Sequence, residues 1–299
     1  MNMDFKSAKE LLDLCEENQL PISEVMRQRE CLLGETPRDA VDHRMAKAWE
    51  IMRASATQPL KKPIKSMGGL IGGEAKKLET HYNKKKNICG DVLQKAMTYA
   101  MAVLEVNASM GLIVAAPTAG SAGVVPGMML ALQECYRISD QRIVDALFNA
   151  GAVGYLAMRN ATVAGAVGGC QAEVGAASGM AAAALVDIKG GTAEQCAEAF
   201  AMALTNLEGL VCDPVAGLVE IPCIKRNVIG AMNAVSAADM ALAGVVGHIP
   251  ADEVIDAMAE VGNAMSKDLR ETGIGGLAGT PTGRAICEIV TMDNGEEED

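Results

Sequence analysis

Residues 165–179 read GAVGGCQAEVGAASG, and the chain runs on to Leu185 almost wholly in alanine and methionine. The spacing of Gly165, Gly168, Gly175 and Gly179 resembles small-residue helix contacts, in which missing side chains let two backbones come close. Half of the 299 residues are apolar but only 3% are aromatic. Ala, Gly and flexible Met suit closely packed helices better than a sandwich or barrel, which draws on Val, Ile, Tyr and Phe. The expected fold class is all-α: an N-terminal helical arm over 1–60, a helical body over 61–290, and an acidic tail over 291–299 expected to be disordered.

The same region carries the chemistry. Cys170 lies in the opening stretch, Cys212 in NLEGLVCDPVAG and Cys223 in VEIPCIKRN. Each sits at a glycine- or proline-marked break, where small neighbours leave room for a bulky inorganic group and Pro214 and Pro222 fix the local backbone. Zinc sites usually show close cysteine pairs, and none exists here, whereas iron–sulfur clusters accept ligands from separate loops. Cys15, Cys31, Cys89, Cys135 and Cys196 read instead as small core residues.

Two glycine-and-hydroxyl stretches read as anion sites. Ser66-Met67-Gly68-Gly69, with Gly72-Gly73, offers backbone N–H groups amid eight lysines. Residues 115–129, AAPTAGSAGVVPGMM, place Thr118, Gly120 and Ser121 before a helix expected from about Pro126. This is neither a Walker A loop nor a dinucleotide fingerprint. ETGIGGLAGTPTGR, 271–284, is a further glycine-and-threonine loop.

Helix signals punctuate the rest. Ser7 to Glu10 has the form of a capping box. Thr36-Pro37 opens a helix expected through about Met52, with Val41, Met45, Trp49 and Met52 on one face. Residues 91–110 read as an apolar helix, Thr192 caps one holding Cys196, Phe200 and Leu204, 228–247 form another, and Asp252-Glu253 start one expected to reach about Leu269.

Net charge of −12 argues against nucleic acid and anionic membrane surfaces. The N-terminus has no apolar signal region, and the uncharged run 106–133, interrupted by Pro117 and Pro126, reads as a buried loop rather than a membrane span. A cytoplasmic location with free or metal-bound thiols is expected.

GGCQAEVGAASGM, LEGLVCDPVAGLVEIPCIKRN and AAPTAGSAGVVPGM, together with LLDLCEENQLPISEVM and the 271–284 loop, resemble the α chain of the iron–sulfur-dependent bacterial L-serine dehydratases. The resemblance covers nearly the whole chain. It implies a [4Fe-4S] cluster on Cys170, Cys212 and Cys223, an all-helical catalytic domain, and conversion of L-serine to pyruvate and ammonia. Some members carry a smaller β domain ahead of the α part. A separate β chain is therefore implied as partner, within a larger oligomer. Some single-chain members end in a cysteine on the free iron; Cys287 is not expected to take that place, because its surroundings differ.

Ser66, Gly68, Thr118, Gly120 and Ser121 are assigned to the substrate's carboxylate or amino group. The proton-accepting base stays open between the β chain, Lys225 and Glu173, and His43, His81 and His248 are expected to be surface or packing residues. Two other functions compete: a cluster-dependent lyase for another β-substituted amino acid such as cysteine or threonine, and a helical subunit holding a cluster as a redox or oxygen sensor.

Overall fold

The helix at the centre, α9 (Ala176–Ile188), is apolar all round, and a helix without a polar face must be enclosed on every side. A computed structural model, which describes residues 3–295 with side chains to residue 292, shows this enclosure: 168–187 are buried without interruption. Around α9 stand α6 (Val124–Tyr136), α7 (Asp140–Asn160), α10 (Ala193–Thr205) and α11 (Cys223–Leu242), and α5 (Asp91–Ala108) packs between α6 and α11. The backbones approach because glycine stands at the crossings. A Cβ on Gly179 would lie 2.5 Å from the Phe200 ring, one on Gly154 2.7 Å from Met180 Sδ, and one on Gly127 2.8 Å from the Ala100 nitrogen. The sequence's small-residue spacing is thus the packing rule of the core. Among the described residues no strand forms; one isolated parallel bridge joins Cys212 to Arg270.

The arm consists of α1 (Ala8–Asn18), α2 (Ile22–Leu33) and α3 (Arg38–Lys61). Ser7 caps α1 by accepting from the Glu10 amide. The helix after Pro37 carries on past Met52 to Lys61 and takes Pro59 into its last turn. Phe5, Leu11, Val25, Val41 and Trp49 join the same apolar core as α7 and α9. The indole N–H of Trp49 donates to Asp140 Oδ1 at 3.0 Å.

A buried guanidinium joins arm to body. Arg27 is 5% exposed; it bonds Asp42 of α3 at 2.6 Å, Glu24 of its own helix at 2.8 Å and Asp145 of α7, and it stacks 4.5 Å over Phe148.

Four boundaries differ from the sequence expectation. Residues 110–115 are not a buried loop: Met110 and Leu112 are exposed, and the run divides into the end of α5, a loop and α6, which begins at Val124 with Pro126 in its first turn. α11 begins at Cys223, because Pro222 needs no N–H partner at a helix start. α12 (Ala251–Ala264) stops well before Leu269, and the 271–284 loop gives way at Pro281 to α13 (Pro281–Gly295). That helix carries the first part of the expected tail, and 296–299 lie outside the described residues. α4 (Glu74–Asn83) and the four-residue α8 (Gly165–Gly168) complete the set. No helix among the described residues is long and apolar enough to cross a membrane.

Replacing Arg27 with Met should cost about 3 kcal/mol of stability in urea unfolding, since removal of one partner leaves carboxylates facing an apolar seam. The junction is also acid-sensitive. The Arg38 guanidinium, helped by Gln28 and Arg27 against the effect of burial, holds Glu24 down to about 2 from its ordinary 4.5. A depressed carboxyl contributes fully above pH 4.5 and loses that contribution as pH falls towards 2. Near-ultraviolet dichroism of Trp49 followed down this range should show a loss of packing that Glu24→Gln flattens.

Candidate active site

Cys170 precedes a single π-helical turn, Gln171–Gly175, inserted between α8 and α9. Such turns add one residue to a helix and re-aim its side chains, often at functional places. Here the turn brings Glu173 round beside Cys212: its Oε2 lies 3.9 Å from the Cys212 sulfur and its Oε1 accepts from Thr118 Oγ1 at 2.6 Å. Cys212 is held in an extended stretch by two backbone bonds, its N–H to the Leu269 carbonyl at 2.8 Å and its carbonyl from the Glu271 N–H at 2.7 Å. Cys223 opens α11. The three sequence-assigned cysteines are therefore gathered at one end of the helical core, all buried and all free thiols.

Burial dominates their ionisation. It pushes Cys170 and Cys223 up to about 12 and raises Cys212 as well; Glu173 adds to the rise at all three, and neighbouring thiols add to it at Cys170 and Cys212. Arg226 opposes this at Cys170 and Cys223. Burial also raises Glu173, against the hydrogen bond from Thr118. In this state the pocket favours neutral thiols, and a cationic ligand would reverse that preference. The space for one depends on glycine. A Cβ on Gly165 would lie 2.6 Å from Glu173 Oε2 and 3.1 Å from Cys212 Sγ, and a Cβ on Gly120 would lie 2.8 Å from Glu173 Oε1. Among the described residues no three His, Cys, Asp or Glu side chains share one ion-sized coordination sphere.

Each cysteine has an acid within three residues, and each acid binds a distant glycine-bearing loop. Glu173 takes the Thr118 hydroxyl. Asp213 Oδ2 accepts from the Leu277 N–H at 2.7 Å, and Gly276 passes so close that a Cβ there would lie 2.3 Å from that oxygen. Arg226 Nη2 stands 2.7 Å from Asp213 Oδ1 as an ion pair, although no N–H is aligned on that atom. Glu220 takes the third loop, accepting from Ser66 Oγ at 2.6 Å and from the amides of Gly68 at 2.8 Å and Leu70 at 3.1 Å.

The substrate residues assigned from sequence thus divide. Ser66 and Gly68 have their donors engaged by Glu220, a carboxylate only 2% exposed. Displacing it would strand a buried charge, at a cost of about 3–5 kcal/mol. In the other turn, the amides of Ala119 and Gly120 have no protein acceptor among the described residues. Ser121 is fully buried, with only long contacts of 3.3 to 3.5 Å from its hydroxyl. Lys225 is exposed.

Asn227 was not singled out by the sequence reading. Its Oδ1 accepts from the Gly123 N–H at 3.0 Å, and its Nδ2 donates to the Gly120 carbonyl at 2.8 Å and the Cys223 carbonyl at 3.0 Å. Its position four residues after Cys223, on the same helix face, was the available signal.

Buried ionisable groups converging beneath a turn with free amides mark an enzyme site more than a packing motif. The chain matches the family model described as serine dehydratase alpha chain over residues 17–278. It is 50% identical over 282 residues to the probable L-serine dehydratase alpha chain of Bacillus subtilis, covering 94% of each chain. It is 46% identical over 282 residues to the L-serine dehydratase alpha chain of Peptoniphilus asaccharolyticus, covering 94% of this chain and 97% of that one. The L-serine dehydratase of Helicobacter pylori is 39% identical over 284 residues, which is 93% of this chain but 62% of that longer protein. The chain belongs to the serine dehydratase alpha-chain family.

Gly165→Ala should disturb the pocket without unfolding the core. Dichroism should show unchanged helix content, while iron retained per chain after anaerobic reconstitution falls below half of the parent's.

Proposed function

We propose that the protein is the α subunit of an L-serine dehydratase, a carbon–nitrogen lyase that converts L-serine to pyruvate and ammonia with a [4Fe-4S] cluster on Cys170, Cys212 and Cys223. The observation that carries this reading is the gathering of three free buried thiols and Glu173 beside a hydroxyl turn with open amides. Thiols that share a buried neighbourhood but no single coordination sphere suit a cluster, in which each thiolate holds its own iron. The cluster, when bound, supplies a Lewis-acidic iron for the serine hydroxyl.

The chain's own residues hold the rest of the substrate. The amides of Ala119 and Gly120, with the hydroxyl of Ser121, receive the carboxylate in the turn that leads into α6, while Thr118, whose hydroxyl proton is given to Glu173, holds that acid against the turn. Glu173 faces the ammonium group, whose charge offsets that of a desolvated carboxylate. Gly120 leaves space between them, and Asn227 fixes the turn against Cys223. Ser66 and Gly68 complete the wall from the adjoining loop. Loss of the Cα proton and of hydroxide from Cβ gives aminoacrylate and water; tautomerisation to the imine and hydrolysis give pyruvate and ammonia. The alpha-chain naming of the relatives, and the longer single chain of Helicobacter pylori, support a separate β chain as partner.

Protein purified without oxygen should carry about four irons per chain and form pyruvate from serine in the presence of the β chain, with activity lost as the cluster bleaches in air. Serine replacement of any one of the three cysteines should remove cluster and activity together; full activity in one variant overturns that ligand's assignment. Ser121→Ala should raise the serine KM roughly tenfold, the loss expected for one hydrogen bond to a charged group, with iron content unchanged.

A further inference from the structure

The loop 66–71 has the make-up of an anion nest and already holds an anion. Besides the three donors given to Glu220, the Ile71 N–H donates to Ser66 Oγ at 3.2 Å, the Ser66 N–H to the Ile71 carbonyl at 3.1 Å, and the Gly69 N–H to the Ser66 carbonyl at 3.1 Å. The Met67 N–H is taken by the Ala108 carbonyl at 2.9 Å. Every amide from Ser66 to Ile71 is therefore used within the protein. No basic side chain pairs with Glu220 among the described residues, so these dipoles alone face its charge.

Glu220 is also part of the cysteine segment. Its backbone carbonyl accepts from the Ile224 N–H at 3.1 Å, in the turn that starts α11 and presents Cys223. Gly68 is pressed onto the same segment, where a Cβ would lie 2.3 Å from Leu218 Cδ1. Side chain and backbone of one residue thus grip the loop and the cysteine turn at once.

We propose that Glu220 is a positioning residue: its carboxylate is the permanent ligand of the 66–71 nest and couples that loop to Cys223, so that occupation of the thiols orders the loop. The inference rests on the cluster reading above. A loop tied to a metal-bearing turn by charge-assisted bonds shares in whatever rigidity the metal confers on that turn.

Hydrogen exchange of the full chain tests this, before and after anaerobic reconstitution with iron and sulfide. In the parent, reconstitution should slow exchange at the Gly68 and Leu70 amides tenfold or more. In Glu220→Gln the two states should exchange alike, with iron per chain preserved and the serine KM raised about tenfold while kcat stays within threefold. Glu220→Asp, which keeps the charge, should restore part of the iron-dependent slowing. Gly68→Ala, whose Cβ would press on both Leu218 and the Glu220 carboxylate and so push the loop off its anion without removing it, should uncouple in the same way and serves if the Gln variant does not fold. Loop protection in the parent that ignores iron, or coupling that survives both variants, overturns the proposal. Failure of the parent to take up iron overturns the cluster reading instead. The proposal then stands or falls on whether Glu220→Gln speeds Gly68 and Leu70 exchange tenfold in the iron-free chain while α9 is unaffected.

Discussion

Three acids and three thiols are buried together at one end of an alanine-rich helical core, and a buried acid must take its hydrogen bonds from protein. Burial cuts these acids off from bulk solvent, and an unsatisfied buried polar group costs on the order of 1–3 kcal/mol. The donors come from far along the chain: Thr118 to Glu173, the Leu277 amide to Asp213, and Ser66, Gly68 and Leu70 to Glu220. This requirement draws the three loops onto the cysteine segments. Loops alone could not find that arrangement, because glycine-rich chain loses the most conformational freedom on being fixed.

The helices provide the frame that makes such fixing possible. Their small residues let α7, α9, α10 and α11 approach to backbone contact, and close contact in a dense interior allows little drift. The π turn before α9 matters for the same reason. One extra residue in an otherwise rigid helix swings Glu173 between Thr118 and Cys212, a placement that a regular helix starting from Cys170 would not give. The arm adds its own lock at Arg27, where three carboxylates from α2, α3 and α7 share one guanidinium.

Much of this was legible in the sequence, where the signal was local. Ala and Gly spacing gave the helical class, Thr192 gave a helix cap that forms as read, with Gln195 completing a capping box the sequence reading placed only at Ser7, and the glycine- and proline-marked cysteines are the ones that converge. What stayed hidden depends on pairing across the chain. The end of α12 near Ala264 and the onset of α13 at Pro281 follow from the bridge that Cys212 makes with Arg270 and from the tie between Asp213 and the 271–284 loop. A π turn has no signature that alanine-rich sequence displays. Glu220, Asn227 and Asp213 read as ordinary polar residues until the loops they hold are known.

The two candidate anion turns show why composition could not rank them. Both combine glycine with hydroxyl residues, and both lie against the cysteine segments. The nest at 66–71 is closed by Glu220, a ligand within the chain, and every amide in it is spent. The turn at 118–121 is held from outside its amides: Glu173 takes a hydroxyl, and Asn227 takes the Gly120 carbonyl and the Gly123 N–H. Those contacts fix the turn and leave the N–H groups of Ala119 and Gly120 without acceptors among the described residues. Free donors on a fixed backbone bind an anion without first paying to organise themselves, which is the physical content of preorganisation. Of the two turns, 118–121 is thus the one with free donors among the described residues, and the 66–71 loop is the one already tied, through Glu220, to the segment that precedes Cys223.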